Sequence, residues 1–430
     1  MHIYFSGIGG AGLSGLALVA QKAGYKVSGS DKQDSRTIEY LKQHGITDIH
    51  IGQDREAIAA VHDAEPIDWF VYTAAVSIEN PNAPELAFCR EQNIKTSKRD
   101  EILNQILADK KLKLIAIAGT HGKSTTTALV IWLFTQLKLP IGYNVGAKLA
   151  FEADVFASGA EYFVYECDEF DRNFLAFEPY LSVISGVSWD HHEVFPTRED
   201  YQAAFREFID QSQHTILWEE DRDYLGLGEA GRLSPQKTDN ATINNIALKG
   251  RYTRMDAWLA VQSVHKVTGA PVEDLLTAVG KFPGLQRRME QLAPNLYTDY
   301  AHTVEKIRGA MSVALEMAAE TNQKLVVVYE PLHNRRQHYI MNDYKDCFNG
   351  AEQVYWIPSY LAREDPNQRI IPPAELITRL DDPSIAVPAE MGADLKRTIE
   401  SHLAKGDLVV AMSGGGGGSL DEWLRKEFVA

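Results

Sequence analysis

Residues 115–127 read "IAIAGTHGKSTTT" and follow the apolar residues of "KLKL". An apolar run that ends at a glycine and resumes as a helix is the pattern of a strand, a turn and a helix. Successive backbone N–H groups in such a turn, backed by a helix N-terminus, make an anion site. The usual nucleotide loop, G-x-x-x-x-G-K-[ST], needs a glycine five residues before Gly122. Ile117 stands there, and Gly119 opens a tighter G-x-x-G-K-S. Lys123 offers a mobile charge for β- and γ-phosphates, and Ser124 a hydroxyl for Mg2+. The bland alternative is a glycine-containing strand-to-helix turn; the strand before and the helix after favour a phosphate loop. On that reading the charge of Lys123 serves the nucleotide and not the core.

Two more strand ends carry chemistry. After "YFVYE" (162–166), the segment "VYECDEFD" (164–171) places Glu166, Asp168, Glu169 and Asp171, four carboxylates, within six residues. Beside a triphosphate they suit Mg2+, which takes oxygen ligands; away from one they form a solvated acidic loop. After "LSVIS" (181–185), the segment "SWDHHEVF" supplies Asp190, His191, His192 and Glu193. These histidines either bind a ligand or phosphate, or cap and pack their loop. Phosphate-binding, acidic and histidine groups thus point toward one sheet edge.

The chain opens with "IYFSGIGGAGLSGLALVAQKAGYKVSGSD" (3–31), a β-α-β unit whose helix ends at Gly24, and "WFVYTAAV" (69–76) adds a strand. Gly7-x-Gly9-x-x-Gly12, with Asp31 nineteen residues later, meets the dinucleotide fingerprint. Three readings stay open: NAD for a dehydrogenase, a tight turn for helix–strand packing, or another diphosphate ligand such as a UDP-sugar. The polar stretch "TSKRDEILNQILADKKLK" leads out of this block, and "FPGLQRR" (282–288) reads as a later linker.

A third block has strands at 296–299, 325–330 and 408–412, then five glycines, Gly414 to Gly418, before the helix "SLDEWLRKEF". In "TDYAHTVEK" and "YEPLHNRRQH", Asp299, His302, His333, Arg335 and Arg336 suit a carboxylate-bearing substrate, because arginine pairs two hydrogen bonds with a carboxylate. The alternative is a polar interdomain surface. Strand–helix alternation throughout implies an α/β protein with parallel sheets and sites at the strands' carboxyl ends.

At 430 residues, two to four domains are expected. A net charge of -16 argues against a general nucleic-acid binder. Cys89, Cys167 and Cys347 are far apart, so neither a zinc cluster nor a disulfide framework is expected, and a reducing cytoplasm fits. Residues 2–6 already read as a strand, with no leader before them. No apolar run approaches the ~18 residues of a membrane span. No nucleic-acid or membrane partner is expected.

Together these segments resemble the Mur ligase family, the ATP-dependent amino-acid ligases of peptidoglycan precursor synthesis, across essentially the whole chain. "FSGIGGAGLSGLA" resembles the family's UDP-binding start and "AGTHGKSTTT" its ATP loop. "ECDEFDRNF" resembles its E-x-D-E-x-D segment, and "WDHHEVF" its aspartate–histidine loop. "KGRYTRMDAWLAV" resembles the G-R-H-N helix start, "PGLQRRMEQ" the R-R linker and "DYAHTVEKI" the D-Y-x-H segment. The chain departs from the pattern at Tyr252 and Thr253, at Asp256 where an adenine-contacting asparagine is expected, and at Thr303 and Val304. "YEPLHNRRQ" matches the alanine-reading segment only loosely, with Arg336 aligned to its last arginine.

The resemblance implies three α/β domains: a Rossmann-like UDP-sugar domain (1–108), a central P-loop ATPase-like parallel sheet (109–285) and a Rossmann-like amino-acid domain (286–430). It implies Gly119, Thr120, His121, Gly122, Lys123, Ser124, Thr125, Asp256, Arg288 and Asp299 for ATP. It implies Gly7, Ile8, Gly9, Gly10, Ala11, Gly12, Asp31 and His121 for the UDP-sugar, and His302, His333, Arg335 and Arg336 for the amino acid. Lys123, Glu166 and His191 would be catalytic, with Ser124, Glu166 and His191 the ligands of Mg2+.

The implied cofactors are ATP and Mg2+, and the partners are small molecules, UDP-N-acetylmuramate and an L-amino acid. The expected reaction joins L-alanine to the muramate carboxylate through an acyl phosphate. Within the family, His121 points to the alanine-adding members and to those attaching recycled L-Ala-γ-D-Glu-meso-diaminopimelate. The glycine-rich ending leans toward the tripeptide. Two rivals lie outside the family: an NAD-dependent dehydrogenase and a nonenzymatic ATP-gated binding module.

Overall fold

The structure, a computed structural model, describes residues 1–72, 82–191, 194–361 and 364–429, apart from the side chains of residues 11, 36 and 171. Among the expected features, residues 73–76 of the fourth strand, His192, Glu193 and the Asp171 side chain lie outside the described residues.

Three sheets account for the three sequence blocks. The first comprises β1 (His2–Ser6), β2 (Lys26–Asp31), β3 (Ile49–Ile51), β4 (Trp69–Tyr72) and β5 (Lys95–Ser97), in the order β3-β2-β1-β4-β5 and parallel throughout. The second comprises β6 (Lys113–Ala118), β7 (Ile141–Asn144), β8 (Tyr162–Glu166), β9 (Leu181–Ile184), β10 (His214–Trp218) and β11 (Leu233–Gln236). Its order is β11-β10-β9-β6-β8-β7, again parallel. Strands buried on both faces read as apolar runs instead of alternating, as β1 and β6 do.

The third sheet comprises β12 (Glu290–Ala293), β13 (Leu296–Asp299), β14 (Leu325–Glu330), β15 (Gln353–Trp356), β16 (Ala386–Pro388) and β17 (Leu408–Ser413), ordered β12-β13-β17-β14-β15-β16. It departs from the all-parallel expectation: β12 runs antiparallel to β13, with a register shift between Gln291 and Ala293. The cause is the short "PN" connection, where Asn295 takes φ 61°, a conformation asparagine tolerates better than most residues. The two faces of this sheet bury alternate residues of one strand. Val327 and Tyr329 join one apolar cluster, Val326 and Val328 the other.

Contacts divide the chain into two compact units. One holds Met1–Gly146, Glu152–Thr238 and Leu259–Val279, with the first two sheets; the other holds Ala147–Phe151, Asp239–Trp258 and Gly280–Ala430, with the third. The first two sheets share one apolar cluster, from Ile3 and Phe5 through Leu103 and Ile106 to Phe163 and Phe205. The stretch read as a polar lead-out helps form that cluster. It holds the end of β5 and the helix Arg99–Lys110, whose Ile102, Leu103, Ile106 and Leu107 are buried at i, i+1, i+4 and i+5. That stripe was masked by the charged residues around it. Among the described residues no helix is long and apolar enough to cross a membrane.

Candidate active site

Strand β6 lies between β8 and β9, so their three carboxyl ends are neighbours. The loop after β6 needs glycine twice. Gly119 takes φ 143°, and a Cβ built there would lie 2.5 Å from the Ser185 hydroxyl and 2.9 Å from the Gly186 carbonyl. Gly122, at φ 78°, is the N-cap of the helix Lys123–Gln136 and offers no side-chain cap. The first-turn N–H groups of that helix are therefore available to an anion.

The loop is tied down from the β9 side. The Thr120 hydroxyl donates to the Ser188 carbonyl at 2.7 Å, accepts from the Ser188 N–H at 3.0 Å and pairs with the Tyr201 hydroxyl at 2.7 Å. Its N–H donates to Gly186 O at 2.8 Å. Thr120 thus serves as an anchor of the loop. The Ser185 hydroxyl donates to the His121 carbonyl, while the imidazole lies over Gly186, where a Cβ would come within 2.1 Å of Cε1. Ser124 and Thr125 follow, half-buried, in the first turn of the helix.

Lys123 donates to Gly119 O at 2.5 Å and to Glu169 Oε2 at 2.7 Å. Glu169 is 1% exposed. Burial works to raise its pKa, but the Lys123 charge and the His191 imidazole outweigh burial and hold it down at about 2. Burial likewise works to lower the pKa of Lys123, and the carboxylates of Glu169, Asp168 and Glu166 raise it. His191, at φ 55°, brings Nε2 to 3.5 Å from Glu169 Oε1, with Asp190 Oδ2 at 4.0 Å.

Ser124 donates to Glu166 Oε1 at 2.7 Å, and the Gly146 N–H donates to Glu166 Oε2 at 2.7 Å. Two oxygen donors in contact at a strand end are what a hard cation takes, so Ser124 and Glu166 fit Mg2+. Among the described residues no group of three or more His, Cys, Asp or Glu side chains is gathered as a metal site. Glu169, read from sequence only as part of an acidic cluster, instead links the lysine to the histidine. Its pairing spans 46 positions and leaves no local signal.

In the first sheet, Gly7 takes φ 81°, and the N–H groups of Gly7 and Ile8 both donate to Ser30 O, at 2.8 and 3.0 Å. The Gly10 N–H donates to Gly7 O at 3.0 Å, closing the turn ahead of the helix Ala11–Lys22. Asp31 accepts from the Gly9 N–H at 2.8 Å, so this carboxylate fastens the glycine turn. Nearby Glu85, 1% exposed, accepts from Tyr4 at 2.8 Å and Ser6 at 2.5 Å. Burial raises its pKa.

In the unit containing the third sheet, Asp299 ends β13, accepts from the Met289 N–H at 2.9 Å and lies 3.9 Å from the Arg288 guanidinium. Burial pushes its pKa up. His302 is buried against Gly414, where a Cβ would come within 2.6 Å of the ring, and its Nδ1 lies 3.0 Å from Tyr300 O. Burial, then the charges of Lys306 and Arg336, lower its pKa well below the ordinary value, so the ring is neutral. His333, at φ 58°, has Nδ1 3.5 Å from Glu364 Oε1. The Arg335 N–H donates to Glu364 Oε2 at 2.9 Å. Asp256 is half-buried on the helix Arg251–Thr268.

The segment 2–111 matches the "Mur ligase family, catalytic domain", and 117–229 matches the "Mur ligase middle domain". The chain belongs to the Mur ligase family. Among its relatives, the UDP-N-acetylmuramate–L-alanine ligase of Nocardioides sp. is 31% identical over 439 residues, covering 96% of this chain and 93% of the relative. The enzyme of the same name from Brucella ovis is 28% identical over 467 residues, covering 98% and 95%. Among solved structures, the UDP-N-acetylmuramate–alanine ligase of Thermotoga maritima superposes with a TM-score of 0.74 at 22% identity, covering 99% of this chain and 98% of that one. A murein peptide ligase from Psychrobacter arcticus gives 0.63 at 20% identity, covering 100% and 98%. Both structures share the fold. The matches lend no support to a nicotinamide-dependent dehydrogenase.

Proposed function

We propose that this chain is an ATP-dependent ligase that joins L-alanine to the carboxylate of UDP-N-acetylmuramate in peptidoglycan precursor synthesis. The near full-length likeness to L-alanine ligases supports the substrates. The observation that carries the chemistry is the loop: Lys123 held between Gly119 and Glu169, beside a Ser124–Glu166 contact. A muramate carboxylate oxygen attacks the γ-phosphorus of ATP, the bond to ADP breaks, and an acyl phosphate forms. The amino group of alanine then attacks the acyl carbon, gives up a proton, and phosphate leaves from the tetrahedral intermediate.

In this reading the loop N–H groups and Lys123 bind and orient the phosphates, and positioning and charge neutralisation are most of what phosphoryl transfer requires. Ser124 and Glu166, with His191, would hold Mg2+, which supplies positive charge to the transferring group. Gly7 to Gly12 and Asp31 form the UDP-sugar site, with His121 between the sugar and ATP. Asp256, Arg288 and Asp299 serve ATP, and His302, His333, Arg335 and Arg336 the amino acid. The division into domains 1–108, 109–285 and 286–430 follows these three ligands. A cytoplasmic location suits such substrates.

The test supplies ATP, UDP-N-acetylmuramate and L-alanine, following ADP release and product mass together. ADP formed in step with the alanyl product is the expected result. Release of ADP without an amide, or no turnover at all, overturns the proposal.

A further inference from the structure

The stretch "LHNRRQH" (332–338) matches the family pattern only loosely, and two of its side-chain amides are buried. Asn334 is 1% and Gln337 0% exposed, three positions apart on one face of the helix Asn334–Ile340. Between them Arg335 is exposed and Arg336 half-buried. A buried amide is costly unless both its oxygen and its nitrogen find partners. Asn334 finds them in the segment 369–371: Oδ1 accepts from the Ile371 N–H at 2.8 Å, and Nδ2 donates to Arg369 O at 3.0 Å.

Gln337 is the middle of a longer chain. Its Nε2 donates to Leu332 O at 3.0 Å and to His333 O at 3.3 Å, and its Oε1 accepts from the Tyr344 hydroxyl at 2.5 Å. With the Tyr344 proton committed to Gln337, the Tyr329 hydroxyl donates to Tyr344 across 2.8 Å. Both tyrosines are 0% exposed. The chain thus runs from strand β14 through two phenols and one amide to the carbonyls of Leu332 and His333. His333 takes φ 58° and ψ 119°, which an L-residue keeps only where its surroundings over-determine it. Its N–H donates to Tyr360 O at 3.0 Å, and Gln337 holds its carbonyl. Arg336 lies close to this chain. Burial raises the pKa of Tyr329 and of Tyr344, and the Arg336 charge works against both rises.

We propose that Gln337 and Tyr344 are positioning residues that fix the orientation of Arg336 toward the carboxylate of the amine substrate. The inference rests on the amino-acid role proposed above for Arg336. A guanidinium pairs with a carboxylate through two directional bonds, so a small turn of its helix loses one of them. The chain from β14 prevents that turn. Position 337 needs an amide: a carboxylate would set an acceptor against two carbonyl oxygens, and an apolar side chain would leave them without their donor. Removing the Tyr344 hydroxyl, too buried to touch substrate, should then weaken binding of the amine alone.

The test is steady-state kinetics of the full chain with ATP, UDP-N-acetylmuramate and L-alanine. Wild type is compared with Tyr344→Phe, Gln337→Met, Gln337→Glu and Arg336→Ala, with thermal unfolding measured alongside. Tyr344→Phe keeps the ring and removes only the hydroxyl. It should raise the KM for L-alanine roughly 3- to 10-fold, the scale of one hydrogen bond, with kcat and the KM for ATP within about twofold of wild type. Both Gln337 variants should raise it further, by about 10-fold or more. Tyr344→Phe decides the matter where a Gln337 variant does not fold. A wild-type KM for L-alanine in Tyr344→Phe overturns the inference. So does an equal rise in the KM for ATP or a matching fall in kcat, which is what a merely structural role produces. In either case a raised KM in Arg336→Ala leaves the proposed amino-acid site standing. If wild type does not ligate L-alanine, or Arg336→Ala keeps its KM, that site falls and this inference with it.

Discussion

Lys123 and Glu169 form an ion pair at 2.7 Å in which the carboxylate is 1% and the lysine 17% exposed. A lysine placed by sequence in a nucleotide loop is thus also the counter-charge of a buried acid. The pair fixes the ammonium at the mouth of the loop before any phosphate arrives.

Lys123→Ala is therefore expected to abolish ligation and also to destabilise the fold. Breaking a buried pair from one side leaves the other charge uncompensated, at a cost of about 3–5 kcal/mol. Adding Glu169→Gln should recover much of the stability and none of the activity. Product formation and thermal unfolding of the single and double variants decide it. A single variant as stable as wild type would show that Glu169 does not depend on this lysine.

Glu166→Ala and His191→Ala should each raise the magnesium needed for half-maximal activity, with the KM for ATP rising alongside. Glu166 holds Ser124 with one oxygen and the Gly146 N–H with the other, so its loss removes a candidate ligand and frees the Ser124 hydroxyl. His191 meets Glu169, the partner of Lys123, at 3.5 Å. Magnesium titrations of both variants provide the measurement. Curves that overlay wild type would reduce both residues to loop structure.

Asp221 makes the stability of the fold depend on pH. It is buried, accepts from the Val187 N–H at 3.0 Å through Oδ1, and burial pushes its pKa up from 3.8 to about 7. Because the folded value is raised, its contribution to stability is fully present below pH 3.8 and is lost as pH rises toward 7. Asp221→Asn should therefore gain on wild type across that window and stay ahead above it, by up to about 4 kcal/mol, the linkage value of a shift of about three pH units. Denaturant unfolding of both proteins from pH 4 to 8 tests it. A constant difference would mean that the carboxyl does not titrate in this range.

Much of this site could be read from the sequence because its residues sit where one period stops. Tyr162–Glu166 is apolar until the glutamate, and Lys113–Ala118 is apolar until Gly119, so the strand ends and their chemistry were local facts. Glu169 and Thr120 were not legible in the same way. Their partners, Lys123 and Tyr201, are brought to them only by the β9-β6-β8 order, which no local pattern encodes. The helix Arg99–Lys110 was hidden for a different reason. Its buried stripe sits among charged residues, and Arg99 reads as surface until Gly12 is seen beneath it.

L-alanine is expected to be the preferred substrate, with the L-alanyl-γ-D-glutamyl-diaminopimelate tripeptide as the competitor. The carboxylate of the amine substrate is expected on Arg336, helped by Arg335 or His333; a paired contact of this kind favours one orientation of the amino group. His302 is neutral and buried beside Gly414, and Arg336 is among the charges that keep it so. A pocket shaped for alanine rejects one methylene more or less by only about 1–3 kcal/mol, so glycine and serine should react slowly instead of not at all. Arg336→Ala should raise the KM for the amine while leaving that for ATP near wild type. A competition among alanine, glycine, serine and the tripeptide, with product masses read directly, measures the preference. If the tripeptide adduct dominates and free alanine is ignored, the altered "YEPLHNRRQ" segment belongs to a ligase of recycled peptide, and the alanine assignment is wrong.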